Sequence, residues 1–213
     1  MINLYTFFRS SAAFRVRIAL NVKGLAYSSI PKAFAKNEHR AEDYLMINPQ
    51  GLIPALEADG NLLSQSLAII EYLEETRPDP PLLPKEPGAR AKVRAMALAI
   101  ACEIHPLNNL RVLNYLRQTF GQNEDGVNTW YRHWVAEGFA GLETMVREAS
   151  WTKRYCHGDA LSMADVLLVP QMYNARRFKC DLAPFPTLVS ISEHLETLPA
   201  FEAARPEAQP DAV

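Results

Sequence analysis

Residues 2–7, with Ile2, Leu4, Tyr5 and Phe7 close together, carry the side chains that favour a strand and stop at a polar corner, Arg9-Ser10-Ser11. From Phe14 to Val22, apolar residues mix with Arg15 and Arg17 at helical spacing, and Gly24 closes the pattern after Lys23. Tyr27 to Ile30 reads as a second strand, and Ala41 to Ile47 as a short helix ended by Asn48-Pro49. Ile53 to Glu57, the Asp59-Gly60 pair and Asn61 to Leu63 predict a hairpin, because Asp-Gly tolerates the positive backbone angles such turns require. Ser66 to Glu75 predicts an amphipathic helix, with Leu67, Ile70 and Leu73 on one side and Glu71, Glu74 and Glu75 toward water. Residues 1–77 thus run β-α-β-α-β-β-α, a small mixed sheet with helices.

Residues 77–88 then read RPDPPLLPKEPG, where Pro78, Pro80, Pro81, Pro84 and Pro87 exclude regular structure and mark a boundary. Beyond it the chain is rich in Ala, Leu, Arg and Glu. Ala89 to Phe120 forms one long helical pattern interrupted at Pro106, and Asn128 to Ser150 forms another, with Trp130, Trp134, Phe139, Leu142 and Val146 at spacings of three and four. Ser162 and Asp165 have the spacing of an N-capping box ahead of Val166 to Ala175. The tail after Phe201 is short and polar and is expected to fray. The fold class expected is α/β plus all-α, divided into a domain over 1–80, a linker over 81–88 and an all-helical domain over 89–213.

Composition narrows the function. The chain has 213 residues, 48% of them hydrophobic, enough for a sizeable core, and a formal net charge of -2 supplies no field for a phosphate backbone or an anionic membrane. Nucleic-acid and membrane partners are therefore not expected. Cys102, Cys156 and Cys180 are odd in number and far apart, which disfavours a disulfide framework or a metal site and fits a reducing cytosol. The N-terminus lacks the basic start and long apolar stretch of a secretory signal, so a soluble cytoplasmic protein is expected.

Three places carry candidate chemistry. At the first corner, Ser10 can be a plain N-cap; alternatively its hydroxyl and the free helix amides stabilise an anion such as a thiolate. Ile53-Pro54 opens a strand, a position where proline often marks a cis bond that leaves the preceding backbone N–H and C=O open to a peptide ligand. Gln65-Ser66 opens the third helix, where Ser66 is either a cap or part of a carboxylate site.

The order of elements, with Ser10-Ser11, Ile53-Pro54 and the run from Gln65 to Leu73, resembles the thioredoxin-like, glutathione-binding domain of glutathione transferases. Arg9-Ser10-Ser11 followed by Arg15 to Leu20 is similar to the zeta class, which includes maleylacetoacetate and maleylpyruvate isomerases. Ile104 to Asn109, Met163-Ala164-Asp165, Leu168 to Gln171, Arg177-Phe178 and Gln209-Pro210-Asp211 extend the resemblance over nearly the whole chain. It implies glutathione as cofactor, with Ser10 activating its thiol and Ser11 as a second hydroxyl. It further implies glutathione binding by His39, Ile53, Gln65, Ser66, His105 and Asn109. Many members carry cysteine where this chain has Ala12, and Trp or His at Phe14, which argues against a protein thiol taking part.

The resemblance singles out Arg9, Arg111 and Arg177 for a small dicarboxylate substrate, with Arg9 and Arg177 also beside the catalytic chemistry; Arg176 is expected on the surface, although spacing alone leaves a swap of the two neighbours open. Arginine outnumbers lysine, 15 to 7, and its planar fork suits carboxylates. Arg111 points toward maleylpyruvate, since maleylacetoacetate isomerases commonly have a small residue there. The activity implied is conversion of a maleyl-keto acid to its fumaryl isomer in aromatic catabolism, by reversible addition of a thiolate that frees the double bond to rotate. The alternatives are a general glutathione transferase or α-haloacid dehalogenating activity, and a non-catalytic interaction module. A homodimer is implied by resemblance alone.

Overall fold

The computed structural model describes residues 1–212. Strand β1 (Asn3–Thr6) lies at the centre of the first unit, paired parallel to β2 (Ser28–Pro31) and antiparallel to β3 (Ala55–Ala58), which pairs antiparallel with β4 (Asn61–Ser64). The sheet order is β2-β1-β3-β4. Helix α1 (Ser11–Val22) connects β1 to β2, the short α2 (Glu42–Ile47) precedes β3, and α3 (Ser66–Thr76) follows β4. This is the β-α-β-α-β-β-α order expected from the hydrophobic pattern, and it agrees with the thioredoxin-like domain that the resemblance implies. Asp59 and Gly60 take φ of 53° and 77° in the hairpin turn, as an Asp-Gly pair predicts.

One expectation about polar residues fails here. Arg15, Arg17, Lys23 and Glu74 are buried, although helical periodicity places Glu74 toward water. Glu74 accepts from Lys23 Nζ at 2.8 Å and from the Leu82 N–H at 2.9 Å, while Lys23 also donates to the carbonyls of Arg77 and Pro80 at 2.7 and 3.0 Å. The buried pair is thus hydrogen-bonded on several sides, the condition under which charge is tolerated inside a protein. It ties the proline-rich segment to α1 and α3, and Leu82 and Leu83 in that segment are buried as well.

The C-terminal tail as far as Ala212 is also ordered, against the expectation of fraying. After α8 (Pro186–Glu196) and α9 (Pro199–Glu202), Ala204, Pro206 and Gln209 are buried, and Gln209 Nε2 donates to the carbonyls of Ala203 and Arg205 at 3.0 and 2.8 Å. The chain from Glu196 onward packs with Met1–Leu82, whereas Leu83–Leu195 forms the other compact unit, so the helical domain expected over 89–213 ends earlier.

The second unit is helical. Glu86 caps α4 (Pro87–Leu98) by accepting from Gly88 and Ala89 N–H, so Pro87 is the first helical residue and not part of an irregular linker. The long pattern over 89–120 is broken earlier than Pro106: Ala99–Ile104 is a π-helix, in which His105 N–H bonds the Ile100 carbonyl five residues back. Pro106 brings no N–H to the ladder, and the chain turns before α5 (Leu110–Thr119) starts with Asn109 as its cap. Helix α6 (Glu124–Ala149) and the almost wholly buried α7 (Met163–Arg177) complete the core with α8. The Asp165 carboxylate reaches back to Ser162 N–H and hydroxyl at 2.8 and 2.7 Å, as the capping box predicts, and also accepts from Cys156 N–H at 2.7 Å. No helix among the described residues is long and apolar enough to cross a membrane.

Candidate active site

The first corner is built by the end of β1 and the start of α1. Ser10 is the N-cap of α1, with φ -67° and ψ 113°, and its Oγ accepts from Ala13 N–H at 3.2 Å. The cap reading and the anion-binding reading are compatible. A hydroxyl that accepts from a helix amide still has its own O–H to donate, and beside it stand the other first-turn amides of a twelve-residue helix. Ser11 is buried, while Arg9 is exposed with its guanidinium carbon 4.9 Å from the centre of the Phe8 ring.

Ile53 precedes Pro54 through a cis peptide bond, as expected, and lies before the strand ladder, which starts at Ala55. What holds it there was not legible in the sequence. The Tyr44 hydroxyl and Asn48 Nδ2 both donate to the Leu52 carbonyl at 2.7 Å, and burial pushes the Tyr44 phenol up to about 12. Gly51, at φ 58°, lies so close to Arg40 and the His39 carbonyl that a Cβ would sit 3.0 Å from that oxygen.

Gln65, not Ser66, is the N-cap of α3, with φ 69° and no side-chain cap on the first-turn amides. A non-glycine residue in that region is strained and persists only where its surroundings hold it, a frequent mark of a ligand clamp. Ser66 is buried, and its Oγ accepts from Arg15 Nη1 at 3.3 Å. Gln65 Nε2 donates to Gln50 Oε1 at 2.8 Å, and the Gln50 carbonyl accepts from Arg40 at 3.2 Å. Gln65, the loop before Ile53 and the His39 turn are thereby brought together. His39 stacks on Phe34 with centroids 4.1 Å apart, and its pKa is lowered by burial first and the Arg40 charge second.

The remaining named residues lie in the helical unit. His105 and Asn109 are half-buried in the turn after the π-helix, where Asn109 Oδ1 accepts from Arg111 N–H at 3.1 Å. Arg111 is exposed in the first turn of α5. Arg177 is exposed at the end of α7, 4.7 Å from the centre of the Phe178 ring, and Arg176 is the half-buried one of the pair, the reverse of the expected exposures and the swap that spacing left open. Helix α6 links these parts. Trp130 Nε1 donates to the Leu107 carbonyl at 2.9 Å, Asn108 Nδ2 to the Tyr131 carbonyl at 3.3 Å, and Arg132 Nε to the Phe178 carbonyl at 2.9 Å. Tyr131 stacks on Phe178 with centroids 3.6 Å apart. Among the described residues, no group of His, Cys, Asp or Glu could hold a metal ion.

Residues 1–75 match the family described as glutathione S-transferase, N-terminal domain. The chain is 51% identical, over 98% of its length and 97% of the other protein, to a probable maleylacetoacetate isomerase of Vibrio cholerae. A holo structure of a maleylpyruvate isomerase, described as a bacterial zeta-class glutathione S-transferase, superposes with a TM-score of 0.97 at 44% identity, covering 99% of this chain and 100% of that one. A maleylacetoacetate isomerase from Methylobacterium extorquens AM1, solved with bound malonate and glutathione, gives a TM-score of 0.94 at 43% identity, covering 99% of each chain. The chain belongs to the zeta class of the glutathione transferase family, with the maleylacetoacetate and maleylpyruvate isomerases.

Proposed function

We propose that this protein is a glutathione-dependent cis–trans isomerase that converts a maleyl-keto acid, maleylpyruvate or maleylacetoacetate, to its fumaryl isomer. The observation that carries the reading is likeness to these isomerases along nearly the whole chain. The residues present fit glutathione: a serine cap with a hydroxyl left to donate, a residue before a strand ladder, and a helix N-terminus without a side-chain cap.

When bound, glutathione supplies a thiolate whose reversible addition turns the substrate's double bond into a single bond that rotates, and it leaves unchanged. Ser10 donates to the thiolate, and the first-turn amides of α1 lower the cost of its charge; Ser11 is the second hydroxyl of the corner. The Ile53 backbone pairs with the peptide, Gln65 and Ser66 take its γ-glutamyl end at the uncapped amides of α3, and His39 takes its glycine carboxylate, with His105 and Asn109 on the helical side. Arg9, Arg111 and Arg177 bind the substrate's two carboxylates and offset the negative charge that develops on the keto oxygen. The bound malonate of the Methylobacterium relative, a small dicarboxylate, supports a substrate of that class. The protein acts as a homodimer in the cytosol.

Arg111, exposed in the first turn of α5, favours the shorter acid. The test is a side-by-side kinetic assay of both acids with glutathione present. A higher kcat/KM on maleylpyruvate, lost in Arg111→Ser, is the expected result; equal losses on both acids in that variant contradict the preference, and no turnover of either contradicts the function.

A further inference from the structure

Strand β1 ends at Thr6, so the turn from Phe7 to Ser10 cannot draw on the sheet for its hydrogen bonds. Its backbone groups are held by side chains from elsewhere. The Phe8 N–H donates to Asp211 Oδ2 at 2.9 Å, and the Phe8 carbonyl accepts from Arg17 Nη2 at 2.9 Å. Arg17 Nη1 donates to Thr6 Oγ1 at 3.1 Å and reaches the Phe7 carbonyl at 3.5 Å, while its Nε donates to the Ala204 carbonyl at 3.0 Å. The Phe7 carbonyl accepts the Ser10 N–H as well, at 2.9 Å.

Arg17 is wholly buried, which lowers its pKa to about 10, while the charges of Tyr27 and Asp211 act the other way. The Oδ1 atom of Asp211 is buried too, so the carboxylate is turned inward and not into water. Desolvating two charged groups is costly, and stability alone gives weak reason to keep them there. Placement is a better reason. A residue bonded at both its N–H and its C=O by charged groups is held far more firmly than one exposed to water, and the residue so held lies two positions before the catalytic serine.

We infer that the C-terminal segment is part of the catalytic apparatus, with Asp211 and Arg17 as positioning residues that fix the Phe8–Ser10 turn and so hold the Ser10 hydroxyl where it stabilises the thiolate. The inference rests on the reading of Ser10 as the thiol-activating group. The thiolate gains only from a donor already in place, and displacement of such a group by about 1 Å costs on the order of a hundredfold in rate.

Asp211 is the residue to change, because it lies near the chain end, whereas replacing buried Arg17 endangers folding. In the full-length protein, Asp211→Ala is compared with Asp211→Asn, whose amide oxygen can accept the same N–H. The measurements are kcat, KM for glutathione and the pKa of the bound thiol, followed by its ultraviolet thiolate absorbance, alongside thermal unfolding and the Ser10→Ala variant. The expected result is a roughly tenfold loss of kcat and a thiol pKa raised by about one unit in Asp211→Ala, with little change in KM and with recovery in Asp211→Asn. A wild-type kcat and thiol pKa in Asp211→Ala, with Ser10→Ala impaired, overturns the positioning role and leaves the serine its own. An Asp211→Asn protein as impaired as Asp211→Ala overturns the hydrogen-bond account. A wild-type thiol pKa in Ser10→Ala removes both the role of Ser10 and the inference built on it.

Discussion

Around Ser10 the backbone is held on every side that the structure describes: Arg17 and Asp211 take the two ends of Phe8, and the Phe7 carbonyl takes the Ser10 N–H. Arg111 and Arg177 stand differently. Both are exposed, Arg177 lying over the ring of Phe178 and Arg111 making no ion pair among the described residues. The contrast matches two different tasks. Lowering the pKa of a thiol depends on a donor placed to a fraction of an ångström, which a braced turn supplies. Capturing a flexible dicarboxylate depends on charge and reach, and an exposed arginine can adjust to it.

Ser10→Ala tests the braced side most severely. Removing one donor from developing negative charge costs about a hundredfold in kcat, with glutathione still bound. Because the same change removes an N-cap worth about 1 kcal/mol, Ser10→Asn separates the two effects: asparagine caps a helix well but has no hydroxyl, so stability is retained while activity is lost. Normal turnover in either variant means that another group activates the thiol.

On the adjustable side, Arg111→Ser and Arg177→Ser are expected to raise KM for the dicarboxylate by about tenfold each, with bound-thiol pKa unchanged. A shift in that pKa in either variant breaks the division of labour. Tyr44→Phe has a smaller effect. Asn48 still donates to the Leu52 carbonyl, so no buried acceptor is stranded and the loss is about 1 kcal/mol, measured by chemical denaturation, with a weaker affinity for glutathione. Since the folded Tyr44 pKa is raised from 10.0 to about 12, its contribution is present in full below pH 10 and lost as pH rises through 12. The replacement should remove that alkaline limb.

His39 gives the smallest effect. Its folded pKa is lowered from 6.5, so the stability it contributes is present above that pH and fades as pH falls through the folded value. His39→Gln should flatten the acid limb of a plot of melting temperature against pH, and an unchanged limb assigns it to other groups.

The local features were legible in the sequence because their causes are local. The Asp-Gly turn, the cis bond between Ile53 and Pro54, the serine cap and the Ser162–Asp165 box each depend on residues within a few positions. The burial of Glu74 was not legible, because its partner Lys23 lies 51 positions away and helical periodicity alone places it in water. The ordered tail was missed for the same reason, since its acceptor for Arg17 lies 187 positions from that residue. Tyr131 and Arg132, which hold the Phe178 end of α7, look like ordinary members of a helical stripe until Phe178 is seen beside them. The resemblance to the zeta class supplied the candidate site residues, while the long-range contacts show what holds several of them.

The central claim is that glutathione is used and returned. The direct measurement incubates the enzyme with excess maleyl-keto acid and a small amount of glutathione, and follows both the fumaryl product and free thiol. The account predicts many equivalents of fumaryl isomer per glutathione, with the free thiol undiminished at the end. Product that stops at one equivalent while the thiol disappears into a stable conjugate would contradict it and identify a transferase.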